Sequence, residues 1–67
     1  MHNKVRECRK NKGWSQEDLA LRAKVSQPTI SDIERERYVP RVDVALLIAR
    51  ALQSTVEEIF ILETLKN

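Results

Sequence analysis

The apolar positions of this chain recur at helical rather than strand spacing, and they predict five helices joined by short turns. Leu19, Ala20 and Ala23 share one small face of a segment covering about 16–23, and Ser15 is placed to cap it. Ile30 and Ile33 mark the inner side of a segment over about 27–36. Ser26 serves as its N-cap, and Pro28 falls in the first turn, where a missing N–H costs little. Upstream, Val5, Cys8 and Lys12 form a stripe on a first helix over about 2–12, which Gly13 ends at a left-handed C′ position. Downstream, Pro40 stops the third helix. A fourth helix over about 42–52 is apolar almost all round. Its stripe is Val42, Ala45, Ala49 and Leu52, and such a helix is expected at the centre of the core. Thr55 and Glu58 have the spacing of a capping box and open a fifth helix over about 56–62. Phe60, Ile61 and Leu62 then continue apolar beyond what one helix face needs, and 63–67 fit helix, extended chain or a frayed end.

With 67 residues the chain suits one small all-α domain over 1–67, too small for a large cleft, and 42% hydrophobic residues supply one core. No apolar stretch approaches the roughly 20 residues of a membrane span, and charge from Lys4 onward argues against a signal peptide. Cys8 is the only cysteine, so no intrachain disulfide forms. Its place near the apolar stripe suits a structural thiol, and a reducing, cytoplasmic location is expected. The net charge of +2 is unevenly spread, with ten basic and six acidic residues in 1–41 and two basic and four acidic in 42–67. A basic front and an acidic rear suit a surface for a polyanion.

Little here suits catalysis. The single histidine, His2, lies in a terminus expected to be mobile, and the single glycine excludes a glycine-rich phosphate loop. No cysteine–histidine cluster has metal-ligand spacing, so no metal, no cofactor, no enzyme activity and no small-molecule site are expected. The third helix is more informative. Gln27, Pro28, Ser31, Asp32 and Arg35 lie opposite its apolar side, whereas Glu34 shares the inner side with Ile30 and Ile33. A row of short polar side chains fits the major groove of DNA. The same row is also what an ordinary solvated helix face looks like.

The order and spacing of several segments resemble the phage repressor/Cro type of helix-turn-helix domain over about residues 3–60. The carriers are Val5 to Arg9, Gly13 to Ala20, Val25 to Glu34, Tyr38 to Pro40, Ala45 to Leu52 and Val56 to Phe60. The resemblance implies a five-helix lambda-repressor-like fold, with the second helix braced on the DNA backbone and the third in the major groove. It also implies a homodimer on a two-fold DNA operator. The chain is similar to stand-alone regulators without a separate sensor domain. Three positions depart from the family pattern, in which glycine is common. Lys24, Glu36 and Gln53 stand there instead, so either those turns are built differently or some stability is lost, on the order of 1 kcal/mol for each.

The resemblance and the side-chain chemistry together assign roles. Gln27 offers a donor and an acceptor to adenine, the ring of Pro28 suits a thymine methyl, and Ser31 and Asp32 reach further base edges. Asp32 equally suits an ion pair with Arg35. Gln16, Thr29, Arg35, Arg37 and Arg41 are expected on phosphates, and Arg9 with Glu34 as a partly buried ion pair tying the first helix to the third. Leu47 stands where the family often has a solvent-facing residue. With Phe60, Ile61, Leu62 and Leu65 it makes a candidate dimer patch, in which 60–67 act as a dimerisation tail; a plain surface leucine is the other reading. The function expected is that of a homodimeric transcription regulator, a repressor. The DNA-binding antitoxin of a toxin–antitoxin pair, or a protein-interaction adaptor on the same fold, stands as the alternative.

Overall fold

The computed structural model describes residues 2–62, so the expectations for Leu65 and the rest of 63–67 fall outside the described residues. Five helices are present: α1 (Val5–Asn11), α2 (Gln16–Ala23), α3 (Gln27–Glu34), α4 (Val42–Ala51) and α5 (Val56–Ile59). The chain is also stitched by a ribbon that the helical pattern does not predict. β1 (His2–Asn3) pairs antiparallel with β2 (Phe60–Ile61), with His2 opposite Ile61 and Asn3 opposite Phe60. The first helix therefore starts at Val5, not at residue 2, and the fifth stops at Ile59, not at 62. His2 is held as well, with Nδ1 at 3.2 Å from Glu36 Oε2, which corrects the expectation of a mobile terminus.

The helix starts follow from their caps. Ser15 Oγ accepts from the Asp18 amide while the Asp18 carboxylate accepts from the Ser15 amide, a complete capping box. Ser26 Oγ accepts from the Thr29 amide at the head of α3. At α5 only half of the expected box forms by hydrogen bonding. Thr55 Oγ1 accepts from the Glu58 amide, but the Glu58 carboxylate takes the Ser54 hydroxyl at 2.7 Å. These bonds depress both carboxyl pKa values. Asp18 is lowered first by the Ser15 amide, and Glu58 first by the Ser54 hydroxyl.

The helix ends share one device. Gly13, Lys24, Glu36 and Gln53 all have positive φ. In each case the next residue donates its N–H to the carbonyl five residues back: Trp14 to Arg9, Val25 to Ala20, Arg37 to Asp32 and Ser54 to Ala49. This is the left-handed closure that satisfies the last carbonyls of a helix. The turns without glycine are thus built like those with it.

Val5, Leu19, Ile30, Ile33, Ile48 and Ile59 are fully buried and define the core. Helix α2 packs against both α3 and α4, and α5 packs on α4. The buried stripe of α4 is Ala45, Ile48, Ala49 and Leu52. This corrects the expectation of a helix enclosed on several sides, because Val42 is 76% exposed and Leu46 52%. Trp14 is half-buried, with Arg22 stacked at 4.4 Å and the Lys12 ammonium at 5.4 Å from its ring centre, an edge anchor with a cation on it.

Candidate nucleic-acid interface

Buried Ile30 and Ile33 seat α3 on the core, and the other side of the helix turns outward. Gln27, Pro28, Asp32 and Arg35 are exposed and Ser31 is half-buried. Asp32 and Arg35 make no ion pair among the described residues, so the row is open rather than closed on itself. Pro28 sits at the helix start and leaves no amide unsatisfied. Thr29 is half-buried, and its hydroxyl shares a 2.7 Å hydrogen bond with Ser26, so its first partner is the helix cap.

A polar tie sets the attitude of this helix. Glu34, on the last turn of α3, has a side chain only 4% exposed and accepts from Arg9 Nε at 2.7 Å and Arg9 Nη2 at 3.1 Å. The same carboxylate accepts from Gln16 Nε2 at 3.1 Å, and Arg9 Nη1 donates to the Trp14 carbonyl at 2.8 Å. One carboxylate thereby joins α1, α2 and α3. The hydrogen bond to Glu34 raises the Arg9 pKa above its ordinary value against the opposing effect of burial. A second tie was not visible in the sequence. Asn3 Nδ2 donates to the Ile33 carbonyl at 2.8 Å while Asn3 Oδ1 accepts from the Val5 amide, so one side chain caps the end of α3 and steadies the start of α1.

Arg35, Arg37 and Arg41 are exposed around the end of α3 and the loop that follows. Arg41 lies 3.6 Å from Asp43, and both side chains are largely in solvent, where such a pair is weak. The expected dimer patch is only partly assembled. Phe60 is buried in the core of its own chain, a correction to its place among interface residues. Leu47 is 38% exposed, Ile61 40% and Leu62 71%. The larger apolar feature is a groove of about 790 Å³ between α4 and α5, whose walls include Pro40, Val42, Leu46 and Val56, with Phe60 at its base. Val42 and Leu46, rather than Leu47, line it.

A family model described as "Helix-turn-helix" matches residues 5–59. The chain belongs to the Cro/C1-type helix-turn-helix family of transcriptional regulators. This helix-turn-helix protein is 41% identical over 63 residues to the uncharacterised regulator YgzD of Bacillus subtilis, covering 94% of this chain and 96% of that one. It is 45% identical over 64 residues to an uncharacterised helix-turn-helix regulator of Methanothermobacter thermautotrophicus, covering 94% and 93%. Among solved structures it is similar to the restriction-modification controller protein C.AhdI from Aeromonas hydrophila. The TM-score is 0.78 at 31% identity, with 82% of this chain and 83% of that chain covered. The all-α fold and a DNA-binding role in transcription regulation follow from this membership. No helix among the described residues is long and apolar enough to cross a membrane.

Proposed function

We propose that this regulator binds double-stranded DNA sequence-specifically as a homodimer and represses transcription by occupying a two-fold operator. The observation that carries the reading is the open polar row of α3, mounted on buried Ile30 and Ile33 and tied to α1 and α2 through Glu34. In this reading Gln27, Pro28, Ser31 and Asp32 meet base edges, and Gln16, Thr29, Arg35, Arg37 and Arg41 meet phosphates. The likeness to C.AhdI, a restriction-modification controller protein, supports the reading as a regulator.

A second copy of this chain is the proposed occupant of the α4–α5 groove. Exposed Val42 and Leu46 supply apolar area, with Ile61 and Leu62 nearby in sequence to the Phe60 base. Arg50 on α4 and Glu57 on α5 line the same groove, and neither makes an ion pair among the described residues. A two-fold axis sets the Arg50 of each copy against the Glu57 of the other, the reciprocal contact of an isologous interface. Recognition helices then enter successive major grooves roughly 34 Å apart.

The test is a salt titration on a site selected from random DNA and on a scrambled duplex. Gln27→Ala weakens the selected site by about 1–3 kcal/mol and relaxes one base position, with scrambled DNA nearly unaffected. Arg37→Ala weakens both duplexes alike and flattens the salt dependence. Equal losses on both duplexes for Gln27→Ala refute α3 as the reader.

A further inference from the structure

We infer that Arg6, on α1 and outside the helix-turn-helix itself, completes a niche for one DNA phosphodiester together with Gln16 of α2 and Arg35 of α3. The inference rests on the DNA-binding reading above. A polar recess of about 240 Å³ opens where the three helices meet, lined by Arg6, Arg9, Gln16, Glu34 and Arg35. Three arginines against one glutamate give this lining a formal charge of +2.

The two charges at the back of the recess are already satisfied. Glu34 is engaged by Arg9 and Gln16, and its side chain is 4% exposed, so it does not repel an incoming anion at short range. The two charges at the rim are available. Arg6 and Arg35 are exposed, and neither side chain makes a hydrogen bond or ion pair among the described residues. Gln16 is oriented by its bond to Glu34, which uses one N–H of its carboxamide and leaves the other as a donor. Two guanidinium groups and an oriented amide N–H on the lining of one small polar recess suit the chemistry of a phosphodiester, whose two free oxygens share one charge. Arg35 belongs to the polar row and Gln16 is tied to α3 through Glu34, so the niche adjoins that face rather than the α4–α5 groove.

The experiment measures DNA affinity against salt for the full chain and for Arg6→Ala, Arg6→Lys and Lys4→Ala. Lys4 is the control: it is exposed and its charge is felt by Glu58 of α5, away from the recess. Arg6→Ala lowers the slope of log affinity against log salt by about 0.9 per subunit, and weakens selected and scrambled DNA by the same factor. Arg6→Lys restores most of the slope, Lys4→Ala keeps the original slope, and all three variants unfold at the same urea midpoint as the parent. An ethyl group on the contacted phosphate weakens the parent more than it weakens Arg6→Ala, in which only Gln16 and Arg35 still reach that phosphate. An Arg6→Ala slope equal to that of the parent, or an equal fall in Lys4→Ala, overturns the niche while leaving DNA binding intact. Absence of salt-dependent DNA binding in the parent overturns the DNA reading itself.

Discussion

Helices α3 and α4 are built alike on their inner sides and differently on their outer ones. Each seats β-branched or small residues in the core, Ile30 and Ile33 on α3, Ala45, Ile48 and Ala49 on α4. Outward, α3 shows Gln27, Pro28, Asp32 and Arg35, while α4 shows Val42 and Leu46. The attachments differ too. Helix α3 is pinned by side-chain hydrogen bonds from Arg9, Gln16 and Asn3, whereas no side chain of α4 makes a hydrogen bond to another helix among the described residues. Apolar packing alone tolerates small rotations; directional bonds do not. In the proposed reading, the helix whose orientation must match a groove is the one with directional anchors, and the helix with apolar anchors keeps an apolar outer face for a second copy.

The comparison breaks most sharply at Arg9. Arg9→Ala leaves Glu34 buried without its cation and costs about 3 kcal/mol of stability, read from the midpoint of chemical unfolding. Adding Glu34→Leu recovers part of that loss, because it removes the stranded charge. An unchanged midpoint in Arg9→Ala shows that the directional anchor does not hold α3.

The next effect falls on α4. Leu46→Asp removes the apolar area of a half-exposed leucine from each copy and weakens self-association by about 2 kcal/mol, measured by sedimentation. The folded monomer keeps its melting temperature, since Leu46 contributes little to its own core. A protein that sediments as a monomer at high micromolar concentration, with and without DNA, removes the α4–α5 interface.

A smaller effect separates the turns that flank the two helices. Lys24→Gly relieves a left-handed lysine and stabilises by about 1 kcal/mol. Glu36→Gly and Gln53→Gly gain less, because Glu36 is bonded to His2 and Gln53 Oε1 accepts from Lys12 Nζ at 3.1 Å. Urea midpoints of the three variants rank them. Smallest is the pH effect of the caps. The folded pKa values of Asp18 and Glu58 lie below their unfolded values, so their contribution is present above about pH 4 and is lost as pH falls through the folded values. Asp18→Asn and Glu58→Gln each flatten the decline of the unfolding midpoint between about pH 5 and pH 3.

The middle of the fold was legible because its signals are local. Ser15 and Ser26 bond to amides three residues away, and the buried positions of α2 and α3 repeat at helical spacing, so those helices start where the sequence predicts. The ribbon was not legible. Two-residue strands carry no alternation to detect, and Asn3 finds Phe60 only after the rest of the chain has folded between them. The exposed side of α4 was hidden for a different reason: Val42 and Leu46 are as apolar as Ile48, and hydropathy alone does not tell a buried side from an exposed one. Within the candidate site, the outward row could be read from helical period, and the Arg9–Glu34 pairing from the family resemblance. Arg6 and Asn3 could not, since each acts on an element distant in sequence.

The Asn3 tie also sets an order of events. Pairing His2 and Asn3 with Ile61 and Phe60 closes the longest loop in the described fold for very few hydrogen bonds, so it forms late and opens first. When it opens, the Ile33 carbonyl loses one of its two donors and keeps only the Glu36 amide at 2.9 Å, so the last turn of α3 is loosened with it. Backbone amides at the end of α3 will therefore exchange with solvent faster whenever β1 opens, before the amides of α2, although β1 and the end of α3 lie some thirty residues apart.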